Sequence, residues 1–287
     1  MSIRKVIIIG GAGFLGSHIA FELNKTGKFK ICYGDINKNP ILDFKYFPIN
    51  TLEPSSLKVL NDFDIIINCT GQNTSPFNLC FRLNSEGMQN LINQVVNRSC
   101  RFIQISTTAV YGSGKSCNEK SSLNPETNYA AMKAGAEVLL NSNLKSSKLT
   151  ILRLSNLYGP NQKKGLIAYL LRSYSSDRSL NFNNDGNLVR SFLHVYDAAK
   201  ITSLCAINSN VKGVYNIKGP DTFSINKLLN LFENEFNVIF EKKFSNNDPW
   251  ENIDNLDDST IKKELSFQYN HSLFSFFKDK LESPNEN

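Results

Sequence analysis

The segment Val6 to Gly16, VIIIGGAGFLG, constrains the fold of this chain more than any other, because a β-branched run passes directly into a glycine turn that opens a helix. Val6, Ile7, Ile8 and Ile9 leave no polar face, as in a parallel strand covered on both sides. Gly10, Gly13 and Gly16 stand three apart. That spacing permits a tight turn, lets the backbone approach a ligand without a β-carbon, and lets helix and strand pack closely. The following helix carries Phe14, Leu15, Ile19 and Leu23 inward and presents free N–H groups and a positive dipole end at its start. Such a turn can serve packing alone, but the next segment of the chain points to a dinucleotide pyrophosphate. After a second apolar run, Phe29 to Tyr33, comes Gly34-Asp35, about 20 residues past the glycines, where a carboxylate accepts hydrogen bonds from an adenosine ribose. The alternative for Asp35 is a surface turn. An acid there favours NAD, although Lys38 close by can tolerate a 2′-phosphate, so NADP is not excluded.

With 287 residues, 41% hydrophobic and 20% charged, the chain can bury one large core or two unequal ones. Its net charge of +6 comes from scattered Lys and Arg, which argues against a nucleic-acid surface and suits an anionic small-molecule ligand. The six cysteines show no metal-type pairing and read as reduced core residues, and no His, Cys or carboxylate group has zinc or calcium spacing. No apolar stretch reaches the roughly 18 residues of a membrane span, and the first strand follows Ser2-Ile3-Arg4-Lys5 without room for a signal peptide. A cytoplasmic protein without membrane attachment is expected.

Strands are predicted at 5–9, 29–33, 64–69, 101–106 and 148–154, with helices at about 14–25, 54–60, 85–97 and 129–142. This alternation is that of an α/β protein with a doubly wound parallel sheet. A helix near 195–207 and a strand at 213–217 read as late additions to the sheet. Residues 1–160, completed by 192–218, therefore form the expected dinucleotide domain. Residues 161–191 and 219–287, with helices at 165–175, 224–235 and 272–281, form a smaller, mostly helical lobe that binds substrate.

The run FIQIST ends a strand, so Ser106 and Thr107 fall at the carboxyl edge of the sheet, where ligands bind in such folds. Thr70 and Gly71 follow the strand at 64–69 and join the expected cofactor set. Tyr129 and Lys133 stand four apart at the start of a helix, which stacks them on one face. A free tyrosine, with a pKa of about 10, is a poor base at neutral pH, but a nearby ammonium and a positive nicotinamide ring favour phenolate. Tyr129 then exchanges a proton with a substrate hydroxyl, Lys133 lowers its pKa and binds the nicotinamide ribose, and Thr107 hydrogen-bonds the reacting oxygen. Alone, a Tyr four before a Lys is often an ordinary surface pair. The Ser-Thr strand end and the glycine turn make the catalytic reading the stronger. His18 and His194 sit in apolar surroundings and read as packed rather than catalytic.

Over nearly its whole length the chain resembles an extended short-chain dehydrogenase/reductase, with a Rossmann fold, of the sugar-nucleotide epimerase/dehydratase family. GGAGFLG resembles the family's glycine fingerprint, ISTTAVYG at 105–112 its active-site strand, and Tyr129 and Lys133 its Tyr-Lys pair. Asn84 matches the asparagine that opens the helix after the fourth strand. LRLSNLYGP at 152–160 implies that Asn156 contacts the sugar-nucleotide diphosphate, and VRSFLHVYDAA at 189–199 that Arg190 binds its phosphates. LDDSTIKKELSF at 256–267 resembles the family's carboxyl-terminal stretch.

Two departures narrow the chemistry. Thr108 and Ala109 stand where 4,6-dehydratases carry an Asp-Glu pair that removes water, and Ser191 replaces an acid common after the phosphate-binding arginine. The resemblance thus implies an NAD-dependent epimerase acting on a nucleotide-activated sugar, with a keto-sugar reductase as the alternative and an inactive dinucleotide-binding protein as a rival from another class. Met88, Leu91, Ile92 and Val95, with Ala130, Ala134, Val138 and Leu139, read as excess apolar surface on two helices. A homodimer through a four-helix bundle is expected; packing on the sheet is the alternative.

Overall fold

In the computed structural model, which describes residues 3–71, 75–245, 247 and 250–282, apolar runs and helices alternate as the sequence leads one to expect. The strands are β1 (Arg4–Ile9), β2 (Phe29–Asp35), β3 (Lys45–Pro48), β4 (Ile65–Asn68), β5 (Arg101–Thr107), β6 (Gly114–Cys117), β7 (Leu149–Leu154), β8 (Asn156–Tyr158), β9 (Ser179–Phe182), β10 (Val189–His194), β11 (Gly213–Ile217), β12 (Asp221–Ser224), β13 (Glu241–Phe244) and β14 (Ile253–Leu256). The helices are α1 (Phe14–Lys25), α2 (Phe77–Asn84), α3 (Glu86–Val95), α4 (Asn128–Asn143), α5 (Leu166–Tyr174), α6 (Val195–Ile207), α7 (Ile225–Phe236), α8 (Ser259–Leu265) and α9 (Leu273–Glu282). Pro54–Asp62 forms a 3-10 helix.

Seven strands make one parallel sheet in the order β11-β7-β5-β4-β1-β2-β3. Successive side chains of β1 go to opposite faces, which explains its unbroken apolar run. Val6 and Ile8 enter a core with Ile19 and Leu23 of α1 and Ala198 and Ile201 of α6, whereas Ile7 and Ile9 enter one with Leu91 of α3 and Leu140 of α4. The strand order reverses between β1 and β4, and that reversal opens a crevice at their carboxyl ends.

A third core joins Tyr158, Leu170, Leu180 and Phe192 to Phe232 of α7 and Phe277 of α9. It is less purely helical than expected. β12-β10-β8 form a three-stranded sheet and β13 pairs with β9. β10 crosses the boundary placed at residue 192. Ile261 of α8 packs in the large core, with Leu265, Phe267 and Tyr269 against it, although these positions lie within 219–287.

One expectation about surface is corrected. Met88, Leu91, Ile92 and Val95 are 2%, 1%, 1% and 1% exposed, Ala130 and Ala134 are buried, and Leu139 packs against the core. The sheet core consumes the α3 stripe, and Ala134 packs instead with Val110, Tyr111 and Leu256. Val138 stays exposed, as do Phe77 and Phe81 on the adjoining α2.

Candidate active site

A cleft of about 1460 Å³ lies at the carboxyl edge of the large sheet, more than the roughly 300–1,000 Å³ of a pocket for one small ligand. It is lined by Gly10, Gly13, Phe14, Leu15, Gly16, Asp35, Thr70, Gly71, Ser106, Thr107, Tyr129, Asn156 and Arg190, so nearly all the expected site residues meet there. Lys133 does not line it.

At the β1–α1 junction the glycines are required by space. Gly10 has φ +77°, and a β-carbon on Gly16 would lie 2.4 Å from the Gly10 carbonyl oxygen. The amides of Gly10 and Gly11 donate to the Gly34 carbonyl at 2.8 and 3.2 Å, and that of Ala12 donates to Asp35 Oδ2 at 3.0 Å. No side chain caps the amino end of α1 and no acid stands in its first turn; Asp35, bonded to the Ala12 amide just before it, is the carboxylate at this end. This cradle suits the pyrophosphate of a dinucleotide.

Across the crevice, Thr107 ends β5, and its Oγ1 accepts from the Ala109 amide at 3.2 Å, starting a 3-10 turn over Thr108–Tyr111. A hydroxyl accepts and donates at once, so Thr107 can still donate into the cleft. Thr108 is buried and Ala109 is apolar, so this turn supplies no carboxylate.

Tyr129 lies in the first turn of α4, whose amino end is capped by Thr127 Oγ1 accepting from the Ala130 amide at 3.2 Å. The lowering of its pKa is expected from Lys133 together with a nicotinamide cation; the protein alone acts in the opposite direction. Burial pushes the phenol well above its ordinary value, and the Glu251 carboxylate pushes it the same way. Lys133 is 1% exposed, and its Nζ donates to the Ile105 carbonyl at 2.8 Å, beneath the cleft. Burial pulls that ammonium down to about 8, with Glu137 opposing. The protein alone therefore keeps Tyr129 protonated at neutral pH.

Ile105 O also accepts from Gln104 Nε2 at 2.7 Å. Gln104 Oε1 accepts from Asn68 Nδ2 at 2.8 Å, and Asn68 Oδ1 accepts from Thr70 Oγ1 at 2.7 Å. This buried chain fixes the ends of β4 and β5 relative to Lys133.

Ser106 lines the cleft near the end of β5. Its hydroxyl is buried and donates to Glu137 Oε1. Glu137 in turn accepts from Arg153 Nη2 at 2.6 Å, and Arg153 Nη1 donates to Tyr111 Oη at 2.7 Å. Sequence reasoning missed Glu137 and Arg153. The available signal was Glu137 standing one turn beyond Lys133, which places two charges along the buried side of one helix. Asn84 ends α2 rather than opening a helix, and its Nδ2 donates to the carbonyls of Gly71 and Cys80 at 3.1 and 2.9 Å.

Farther along the cleft wall, Asn156 is exposed and its Nδ2 donates to the Ser191 carbonyl at 3.3 Å. The Arg190 guanidinium donates to the carbonyls of Glu251, Trp250 and Val189 at 2.6, 3.1 and 3.2 Å. It is held against the chain at 250–251 while still lining the cleft. His194 is buried, its Nδ1 accepting from the Tyr196 amide at 3.2 Å, and His18 Nδ1 lies 2.7 Å from the Phe14 carbonyl. Among the described residues no group of His, Cys, Asp and Glu could hold a metal, and no helix is long and apolar enough to cross a membrane. All six cysteines are free.

The chain is 31% identical over 263 residues to the dTDP-D-glucose 4,6-dehydratase of Dictyostelium discoideum, covering 79% of this chain and 60% of that protein. It spans between 37% and 60% of the length of the first curated relatives it matches. The UDP-glucuronic acid 4-epimerase of Bacillus cereus, solved with UDP-glucuronic acid and NAD, superposes with a TM-score of 0.83 at 23% identity over 96% of each chain. The dTDP-glucose 4,6-dehydratase DesIV of Streptomyces venezuelae, solved with NAD, gives 0.84 at 22% identity, covering 95% of this chain and 94% of DesIV. At these identities the likeness of the two structures is one of fold. Residues 6–217 match the NAD dependent epimerase/dehydratase family, and the chain belongs to that family.

Proposed function

We propose that this protein is an NAD-dependent epimerase of a nucleotide-activated sugar, removing and returning hydride at a hydroxyl-bearing carbon, C4 of the sugar. The observation that carries this reading is that Thr107 and Tyr129 line the same cleft as the glycine turn and Asp35. Gly10, Gly13, Phe14, Leu15, Gly16, Asp35, Thr70 and Gly71 would hold NAD. When bound, NAD supplies the hydride acceptor and, as the nicotinamide cation, a positive charge that opposes the effect of burial and of Glu251 on the Tyr129 phenol.

Tyr129 takes the proton of the substrate hydroxyl and gives it back. Thr107 donates a hydrogen bond to the same oxygen and fixes its place. Lys133, rigidly bonded to Ile105 O, holds positive charge below the phenol and binds the nicotinamide ribose. Arg190 and Asn156 would exchange their main-chain partners for the diphosphate. With Thr108 and Ala109 beside Thr107, no carboxylate on that turn protonates a leaving hydroxyl, which disfavours dehydration.

The substrate lobe is drawn from 161–191 and 219–287, excepting the α8 region that packs on the large core, and the dinucleotide domain from 1–160 with 192–218. The proposed assembly is a homodimer through α2 and α4, with Phe77, Phe81 and Val138 as the apolar contacts.

The test is to incubate the NAD-loaded protein with UDP-glucose or dTDP-glucose and follow the sugar by NMR while monitoring NADH absorbance. Epimerisation without net NADH change is expected. Stoichiometric oxidation of added NADH on a 4-keto sugar nucleotide, without epimerisation, would instead establish the reductase.

A further inference from the structure

Glu251 is held in the left-handed region, with φ 57°, a conformation a side-chain-bearing residue keeps only where its surroundings over-determine it. Here they do. Its amide donates to Glu126 Oε2 at 2.5 Å, its carbonyl accepts from Arg190 at 2.6 Å, and its carboxylate accepts from Thr127 Oγ1 at 2.5 Å. Glu126 is itself fixed by the amide and hydroxyl of Ser113 at 3.1 and 2.8 Å. Since Thr127 caps α4 two residues ahead of Tyr129, the Glu251 carboxylate is tied to the turn that carries the phenol. It lines the cleft, and its charge is felt at the Tyr129 hydroxyl.

Among the described residues the charges gathered at this point are Glu126, Glu251 and Arg190, two carboxylates against one guanidinium. Arg190 stands 3.8 Å from the Glu251 carboxylate and already has three main-chain carbonyls as partners. Other cations are elsewhere. Lys133 is bonded to Ile105 O below the cleft, and Lys163 and Lys164 line it as exposed residues of the loop before α5. On a hexose whose C4 hydroxyl faces Tyr129, the substituent on C5 is next to the reacting carbon. A hydroxymethyl group there can donate to Glu251, whereas a carboxylate would add a third negative charge beside a single guanidinium that the proposed diphosphate contact already engages.

We infer that Glu251 is a specificity-determining residue, admitting nucleotide sugars with a neutral hydroxymethyl group beside the reacting carbon and rejecting uronates. The inference rests on the proposed sugar-nucleotide epimerase function and names the substrate class within it. Repulsion between unscreened like charges is the physical basis of the rejection.

Calorimetry on the NAD-loaded protein with UDP-glucose and UDP-glucuronic acid tests it, since the two differ only at C6. The wild type should bind UDP-glucose about tenfold or more tighter, and Glu251→Gln, which keeps an acceptor for Thr127, should bring the two within about twofold. A merely structural role would weaken both ligands alike. An unchanged ratio in the variant, or equal binding by the wild type, overturns the inference and leaves the proposed function standing. Binding of NAD with neither sugar nucleotide overturns both. Should Glu251→Gln fail to fold, the methyl ester of UDP-glucuronic acid serves on the wild type: it should bind tighter than the free acid, and no gain would be contrary.

Discussion

The Asp35 carboxylate accepts the Ala12 amide hydrogen at 3.0 Å, so the acid assigned to the ribose also closes the glycine turn. Two roles in one side chain can be separated. Asp35→Asn retains an acceptor for Ala12 and loses the charge, whereas Asp35→Ala loses both. Both variants should shift preference from NAD toward NADP, by about 1 kcal/mol or more, and Asp35→Ala should bind either dinucleotide more weakly than Asp35→Asn. Titration of both cofactors by calorimetry checks this. Unaltered selectivity would locate the discrimination elsewhere.

Glu137 and Arg153 form a buried ion pair, with side chains 2% and 5% exposed. Removing one partner leaves an uncompensated charge under the cleft. Glu137→Gln or Arg153→Met should each cost about 3–5 kcal/mol, and the double substitution should cost less than the sum. Chemical denaturation of the three variants measures it, and strict additivity would show that the charges do not act as a pair.

The sheet and the principal helices were legible because their patterns are strong. α1 and α6 begin and end where periodicity places them, since a β-branched strand, a glycine turn and an apolar stripe all agree. β3, KYFP, was not legible: it is a four-residue edge strand without apolar alternation. The apolar stripe of α3 was read as an interface, though it faces the sheet, because periodicity reports that a helix face is buried and not by what. At the site, spacing along one helix located Tyr129 and Lys133 but could not reveal that burial would raise one pKa and lower the other. Nor could it reveal that Ser106 turns to Glu137, or that Arg190 meets the distant residues 250–251, contacts that exist only in the folded chain.

His194 is 3% exposed and stacks on His271 with centroids 4.3 Å apart, while His271 pairs with Asp197 at 3.0 Å. Burial, with repulsion from His271 and His18, pulls His194 down to about 3. The unfolded chain therefore binds more protons below the ordinary histidine value of about 6.5, and stability should fall from there toward pH 3. His194→Asn keeps an acceptor for the Tyr196 amide and removes the titration. Its loss of stability between about pH 7 and pH 4.5 should be smaller than that of the wild type in denaturant titrations. An equal loss would assign the acid sensitivity to other groups.

Phe77, Phe81 and Val138 are 47%, 50% and 58% exposed on adjoining helices. Light scattering should give about twice the chain mass of 32.3 kDa, and Phe81→Glu with Val138→Glu should give the single-chain mass. A dimer that survives both substitutions would place the interface on another face.

Tyr129→Phe removes one oxygen from the first turn of α4 and leaves the ring packing in place. Its effect on turnover of a sugar nucleotide by the NAD-loaded protein tests the proposed chemistry most directly. The rate should fall by about two to four orders of magnitude, with NAD affinity changed little. Turnover close to that of the wild type would contradict the assignment of Tyr129 as the acid and base.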